Sequence, residues 1–245
     1  MKLTVLGCYG PYPKAGGSCS GYLLESEETK ILIDCGNGVL SKLLNYCNDL
    51  NKLDAIFISH MHPDHMSDLM VMRYAINIKQ MFGKLKQPIP IYLPASPQEE
   101  YDRIQYQGAF VRNIIHEGTE ISINNMKVTF KKTDHPLECY AMAFEKDNKK
   151  FVYSGDTKYF DGFIDFVKGS NLLLCEANIL HKYMNENVPH LSGRQVGEIA
   201  VKADLQRVIL THFLPEISVA ELLEETKEVF PHMLQIAEEG KCYFI

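Results

Sequence analysis

Between positions 60 and 65 the chain reads His60-Met61-His62-Pro63-Asp64-His65, three imidazoles and one carboxylate in six residues. Imidazole nitrogen and carboxylate oxygen are the donors that zinc and similar divalent ions take. The five residues Asp54-Ala55-Ile56-Phe57-Ile58 read as a short buried strand. In extended backbone the side chains at i and i+2 point the same way, so His60 and His62 can converge on one point. Pro63 then imposes a turn. Asp64 and His65 stand at the mouth of an amphipathic run, expected to be helical from Met66 to about Met81, and a carboxylate is favoured near a helix N-terminus. A histidine-rich solvated loop would have no need of this strand–turn–helix setting.

Three further segments offer metal donors. Asp134-His135-Pro136 follows an expected strand Lys127–Lys132, Ser154-Gly155-Asp156 follows Lys150–Tyr153, and His212 follows Arg207–Thr211. Each alone reads as a structural turn or a buried histidine. Together they put His135, Asp156 and His212 at the C-terminal ends of strands, where each could add a donor to the cluster. His116 has no ligand spacing around it and reads as a strand-end surface residue.

A His-x-His-x-Asp-His run in this setting resembles the metallo-β-lactamase superfamily of metal-dependent hydrolases. The resemblance implies that His60, His62 and His135 hold one metal and that Asp64, His65 and His212 hold a second. Asp156 then bridges both, with a water or hydroxide as the other bridge. The implied ions are divalent, zinc first, with manganese or iron as alternatives. Two such ions against two carboxylates and a hydroxide leave a net positive centre, which attracts an anionic substrate and stabilises developing negative charge.

Three features are similar to the ribonuclease Z branch. They are the glycine- and proline-bearing loop from Leu6 to Lys14, the box Cys175-Glu176-Ala177-Asn178, and His190-Leu191-Ser192, with His190 lying 22 residues before His212. Cys175 and Asn178 depart from that branch's His-Glu-Ala-Thr, and Pro63 stands where it usually has glycine. The catalytic residues implied are Asp64, His190 and Glu176, His190 facing the leaving group and Glu176 holding it. Members that process tRNA insert a long arm between the third-motif histidine and the bridging aspartate. Only 20 residues separate His135 from Asp156 here, and a hairpin takes nearly all of them. The expected function is therefore hydrolysis of a small phosphodiester, nucleotide-derived or cyclic, by a metal-bridging hydroxide. A ribonuclease Z-like endonuclease on RNA, a lactone or thioester hydrolase, and a non-catalytic metal-binding regulator stay open. A homodimer is implied by the branch alone.

The elements that must position these residues are strands at Lys2–Cys8, Ser20–Glu25 and Lys30–Asp34, a helix over Gly38–Leu50, and the metal-motif strand with its helix. A strand at Pro88–Leu93 and a helix at Ser96–Tyr106 follow. Then come strands at Phe110–His116, Glu120–Ile123 and Lys127–Lys132, and a hairpin of Cys139–Glu145 and Lys150–Tyr153. Helices are expected at Phe160–Val167, Ser192–Ala203 and Val219–Val229, with strands at Asn171–Glu176, Arg207–Thr211 and Lys241–Phe244. The second half loosely repeats the first. Strand-rich halves flanked by helices indicate two packed sheets with outer helices, an α+β chain. That agrees with the four-layer αββα sandwich the resemblance implies, read as one domain over 1–245. Met66, Leu69, Met70, Met72 and Met81 lie at helical spacing and read as core. The glycine loop from Gly7 to Gly17 reads as a tight connection; exposed N–H groups facing an anion are the alternative.

Apolar residues make up 46% of 245 residues, enough for a sizeable core, and the formal charge of −6 argues against a general nucleic-acid binder, which carries a basic face. RNA as a partner is therefore disfavoured, and a small anionic ester is preferred. The N-terminus enters a strand at once without signal-peptide anatomy, and there is no apolar run long enough to span a membrane. Seven cysteines without a CxxC suit reduced thiols in a cytoplasmic protein. Cys35, Cys175 and Cys242 read as core residues.

Overall fold

Alternate residues of the first strands face two different cores, and this period-2 pattern builds the molecule from its second strand onward. The computed structural model describes residues 1–27 and 29–245. Strands β1 (Lys2–Gly7), β2 (Gly21–Ser26), β3 (Thr29–Ile33), β4 (Ala55–Phe57), β5 (Ile89–Leu93) and β6 (Phe110–Ile114) lie in one sheet. Strands β7 (Glu120–Ile123), β8 (Met126–Lys132), β9 (Tyr140–Lys146), β10 (Lys149–Tyr153), β11 (Leu172–Glu176), β12 (Arg207–Thr211) and β13 (Met233–Ile236) form a second. The last strand, β14 (Cys242–Phe244), returns to the first sheet beside β1. Tyr22, Leu24, Ile31, Ile33 and Phe57 point between the sheets, where they meet Val128, Phe130 and Phe144. The intervening Leu23, Leu32 and Ile56 point outward. There they are covered by α1 (Val39–Tyr46), α2 (Pro63–Met66), α3 (Leu69–Met81) and α4 (Gln98–Ile104). The second sheet carries α5 (Asp161–Val167), α6 (Gly193–Lys202) and α7 (Val219–Lys227) on its far face. The result is an α+β arrangement of two mixed sheets flanked by helices.

The half-repeat is a repeat of pairing. In the first sheet β14, β1, β2 and β3 run antiparallel and β3 to β6 parallel. In the second, β7 to β10 run antiparallel and β10 to β13 parallel. The β9–β10 hairpin closes through Asp147 and Asn148, both at positive φ (52° and 58°), the backbone that a two-residue type I′ turn requires.

Four expectations are corrected. The helix foreseen from Met66 to Met81 is broken at Ser67 and Asp68. Asp68 donates its N–H to the Cys35 carbonyl and accepts the Leu40 N–H on its carboxylate. It thus serves α1, whose own cap is Gly38 and has no side chain to offer. Met81 is 76% exposed and belongs to no core; with Val71, Tyr74 and Ile78 it forms an exposed apolar stripe on α3. Cys242 is exposed because alternation in β14 turns Tyr243 inward instead. Strand β13, not foreseen, is a four-residue edge strand with no period-2 signal, held by its parallel pairing with β12.

Phe57 is fully buried at the end of the strand that feeds the histidine motif. It stacks on Tyr92 at 4.7 Å and meets Phe144 edge-on at 5.6 Å across the inter-sheet space. Phe57→Ala is expected to cost about 3–5 kcal/mol of folding stability, the usual range for an emptied aromatic core site. Urea unfolding measures it, and a loss under about 1 kcal/mol would contradict a tightly packed inter-sheet core.

Candidate metal centre

Every candidate ligand stands beyond the end of a strand. His60, His62, Asp64 and His65 follow β4, His135 follows β8, Asp156 follows β10, and His212 follows β12. Gly155 makes the turn before Asp156 at φ +57°, in the left-handed region that glycine enters freely. His212 is itself left-handed, at φ +60°. It lies against Gly10, where an added Cβ would fall 1.9 Å from His212 Nε2. Glycine in the opening loop is thus required by the histidine packed on it. The loop's N–H groups at Cys8, Tyr9 and Gly10 bond Ser18 and Phe213 carbonyls, as a tight connection would have them.

The seven residues form two clusters, four in one and three in the other, and Asp156 of the first also approaches the second. His60, His62, His135 and Asp156 bring ligand atoms within 4.8 Å of one another, as do Asp64, His65 and His212. In the first cluster, His62 Nδ1 is 2.9 Å from His60 Nε2 and 3.2 Å from His135 Nε2. In the second, His65 Nε2 and His212 Nε2 are 3.1 Å apart, with Asp64 Oδ2 3.1 Å from His212. Asp156 Oδ2 reaches both, 3.6 Å from His60 and 3.4 Å from each of His65 and His212.

The outer ring nitrogens have fixed partners that settle the tautomers. His65 Nδ1 donates to Asp34 Oδ2 at 2.7 Å, and His135 Nδ1 donates to the Pro189 carbonyl. Ser59 Oγ donates to Asp34 at 2.9 Å and can therefore accept from His60 Nδ1 at 3.1 Å. The Nε2 lone pairs of His60, His65 and His135 are thus turned inward, toward other ring nitrogens. Such a set is unsatisfied by protein alone. Asp156 Oδ1 is also buried without a hydrogen-bond partner among the described residues, which a buried carboxylate oxygen rarely tolerates. The donor set fits divalent cations.

Protonation divides the rings: burial works against a charged His65, and the carboxylates of Asp156, Asp64 and Asp34 outweigh it and raise its pKa, a proton that a bound ion would displace. Burial pushes the His60, His62 and His135 pKa values down, keeping these rings neutral. Burial opposes ionisation of Asp64 and Asp156, but the surrounding imidazoles override it and hold both carboxyls well below the usual range.

His190 and Glu176 sit beside the clusters. Glu176 is completely buried at the end of β11 and accepts the Thr157 N–H at 2.7 Å. Its carboxylate also holds His190 Nδ1 at 3.1 and 3.2 Å. Burial works against a charged His190, and Glu176 outweighs it, lifting the pKa to about 9. His190 groups with Asp156 and His212 within ligand distance as well, although its Nδ1 is committed to Glu176. His62, Asp64, His135, Asp156, His190 and His212 border a cavity of about 400 Å³, whereas His60, His65 and Glu176 do not line it. Another cavity, of about 360 Å³ behind Tyr9 and Phe213, contains no member of the clusters. His116 is exposed and, among the described residues, its side chain and N–H bond only the neighbouring Glu117 carbonyl and Thr119.

Five supporting residues were not foreseen: Gly10, Asp34, Ser59, Tyr153 and Asn178 in its observed role. Asn178 Nδ2 donates to the carbonyls of Gly10 and His212, pinning the loop to the histidine. Asp34 had a legible signal, a charged residue closing the apolar run Ile31-Leu32-Ile33, since a buried charge needs partners. Tyr153 had none.

A family model described as a β-lactamase superfamily domain matches residues 29–213. A Bacillus subtilis protein named "Probable metallo-hydrolase YhfI" is 36% identical over 242 residues, 98% of each chain. Its crystal structure superposes with a TM-score of 0.94, covering 99% of this chain and 98% of that one at 33% identity. Ribonuclease Z of Chlamydia muridarum is 26% identical over an alignment of 298 positions, spanning 98% of this chain and 96% of the relative. A diphosphatase from the PhnP family shares the fold, with a TM-score of 0.76 at 19% identity over 100% of this chain and 97% of that one.

Asp34 holds the outer nitrogen of His65 directly and that of His60 through Ser59, and Tyr153 donates to it at 2.7 Å. Asp34→Asn is expected to weaken divalent-ion binding by about 10–100-fold, the scale for partners behind metal-binding histidines. Tyr153→Phe should do the same to a smaller degree. Equilibrium titration of metal-free protein with Co²⁺, followed by its visible spectrum, measures both. Wild-type affinity in a folded Asp34→Asn protein would remove Asp34 from this role.

Proposed function

The chain belongs to the β-lactamase superfamily of metallo-hydrolases, and we propose that it cleaves small phosphodiesters at a dinuclear centre. His60, His62 and His135 would hold one ion and Asp64, His65 and His212 the other, with Asp156 between them. When bound, the ion pair supplies Lewis-acid stabilisation of phosphoryl charge and a water whose pKa is brought to about 7.

The observation that carries the reading is His190 braced by a buried glutamate at the cavity wall. Phosphodiester cleavage expels an alkoxide that needs a proton, whereas many activated carboxylic esters do not. With Nδ1 donated to Glu176, His190 carries its transferable proton at Nε2. A raised pKa keeps that proton in place at neutral pH, and Glu176 stabilises the charged ring until transfer. Glu176 also accepts the N–H of Thr157, next in chain to Asp156. One carboxylate therefore sets the spacing between the acid and the bridging ligand.

A ribonuclease Z-like activity on RNA is the second reading, supported by the chlamydial relative. Against it, the segment between His135 and Asp156 is filled by β9, its two-residue turn and β10. The alignment with that relative is also longer than this chain.

His190→Ala should keep about two metal ions per chain by elemental analysis, as expected of a two-metal site. The same change should lower kcat by roughly 10²–10⁴-fold for diesters with alkoxide leaving groups. The loss should shrink for p-nitrophenolate, which leaves without a proton. An equal loss for both leaving groups would eliminate the acid role, and loss of an ion would make His190 a ligand.

Precursor tRNA should be cut poorly relative to bis(p-nitrophenyl) phosphate. Efficient, site-specific 3′ cleavage at near-physiological salt would instead favour the endonuclease.

A further inference from the structure

The cavity is as informative for what its walls lack as for the cluster at its base. Its rim is built from Pro11, Pro63, Pro136 and Pro189. Each is the chain neighbour of a working part of the site. Pro11 follows Gly10, on which His212 packs, and Pro63 stands between His62 and Asp64. Pro136 follows His135, and Pro189 precedes His190. Proline has no N–H and a fixed φ, so this rim is stiff and donates no hydrogen bond.

The remaining lining consists of histidines and the carboxylates of Asp64 and Asp156. Among the described residues, no lysine, arginine, amide, hydroxyl or six-membered aromatic side chain borders it. Nearby groups that could have served are engaged elsewhere. Tyr12, next to Pro11, bonds Glu216. Lys14 lies over the Tyr9 ring, and Lys158 Nζ donates to the Glu186 carbonyl at 2.8 Å.

We infer that the pocket reads the reacting ester and not the groups it carries. It accepts small monoanionic diesters with little discrimination among their alkoxy or nucleoside substituents, and it disfavours dianionic monoesters. This rests on the phosphodiesterase reading above. Recognition of a nucleobase requires a stacking ring or paired donors and acceptors, and these walls offer neither. Apolar contact alone separates similar substrates by about 10–200-fold, whereas a site built to hydrogen-bond a group rejects its absence by about 10⁴–10⁵-fold. A second substrate charge would need a guanidinium or ammonium. Here the two carboxylates in the wall already offset much of the ions' charge, so a monoanion neutralises the remainder, and among the described lining residues His190 is the one protein cation left for a second charge.

The test holds the leaving group constant. Metal-loaded protein is assayed with bis(p-nitrophenyl) phosphate, with the 5′-(p-nitrophenyl phosphate) esters of the four common nucleosides, and with p-nitrophenyl phosphate. The nucleoside esters should agree in kcat/KM within about tenfold, inside the range of apolar contact. The monoester should fall at least about 100-fold lower. Calorimetric binding of nucleoside 5′-methylphosphonates, monoanionic and without a good leaving group, should likewise vary within about tenfold. A preference above about 1,000-fold for one nucleoside, beyond apolar contact, or a monoester turned over as well as the diesters, would overturn the inference while leaving the phosphodiesterase reading intact. Turnover of p-nitrophenyl acetate with none of any diester would sink that reading itself.

Discussion

The carboxylate of Asp34 is the interaction on which the rest of the site depends. It is wholly buried, and its backbone is left-handed at φ +54°, a conformation costing about 1–3 kcal/mol for a residue with a side chain. A buried charge is tolerated only when hydrogen bonds replace its lost hydration. Asp34 receives the Ser59 N–H and hydroxyl, the His65 ring and the Tyr153 hydroxyl. Three of these donors come from the segment after β4 in the first sheet, and the fourth from β10 in the second. The same carboxylate therefore aims two histidines and joins the two sheets beneath them.

The position of that junction follows from the paired topology. Parallel strands end in loops on one side of each sheet, and side chains placed there meet outside the carboxyl ends of the strands. The parallel parts of both sheets, β3 with β4 and β10 to β12, end at this seam. Asp34, the histidine motif, Asp156, Glu176 and His212 are thus brought together from positions far apart in the chain. The buried Glu176 extends the arrangement by one layer, since it contacts both the Thr157 backbone and His190.

Much of this was legible from residue order. The spacing of His60, His62, Asp64 and His65 after an apolar strand implied convergence without any knowledge of the partner strands. The strand ends at His135, Asp156 and His212 were readable because each strand pattern stops at a turn residue or a ligand. What escaped detection depends on contacts between distant segments. The helix break at Ser67 and Asp68 exists because Asp68 serves the start of α1, a demand that local periodicity does not express. Met81 continues a helical stripe whose inner half is core and whose outer half faces solvent. Cys242 and Tyr243 differ in burial by one residue of register in a three-residue strand. Tyr153 looks like any tyrosine at a strand end until Asp34 is folded against it.

The pairing of β1 with β14 has a consequence for how the chain is made. Lys2 lies opposite Phe244 and Leu3 opposite Tyr243, so β1 is completed by a strand some 240 positions further along the chain. During synthesis β1 can pair with β2, a neighbour in sequence, but its other edge stays open while the entire second sheet emerges. An unpaired edge of this kind is a template for wrong association, and closing it over so long a separation is slow. The first sheet is therefore the earlier to begin folding and the later to finish. A ribosome stalled shortly before β14 would hold both sheets with one adhesive edge on the first.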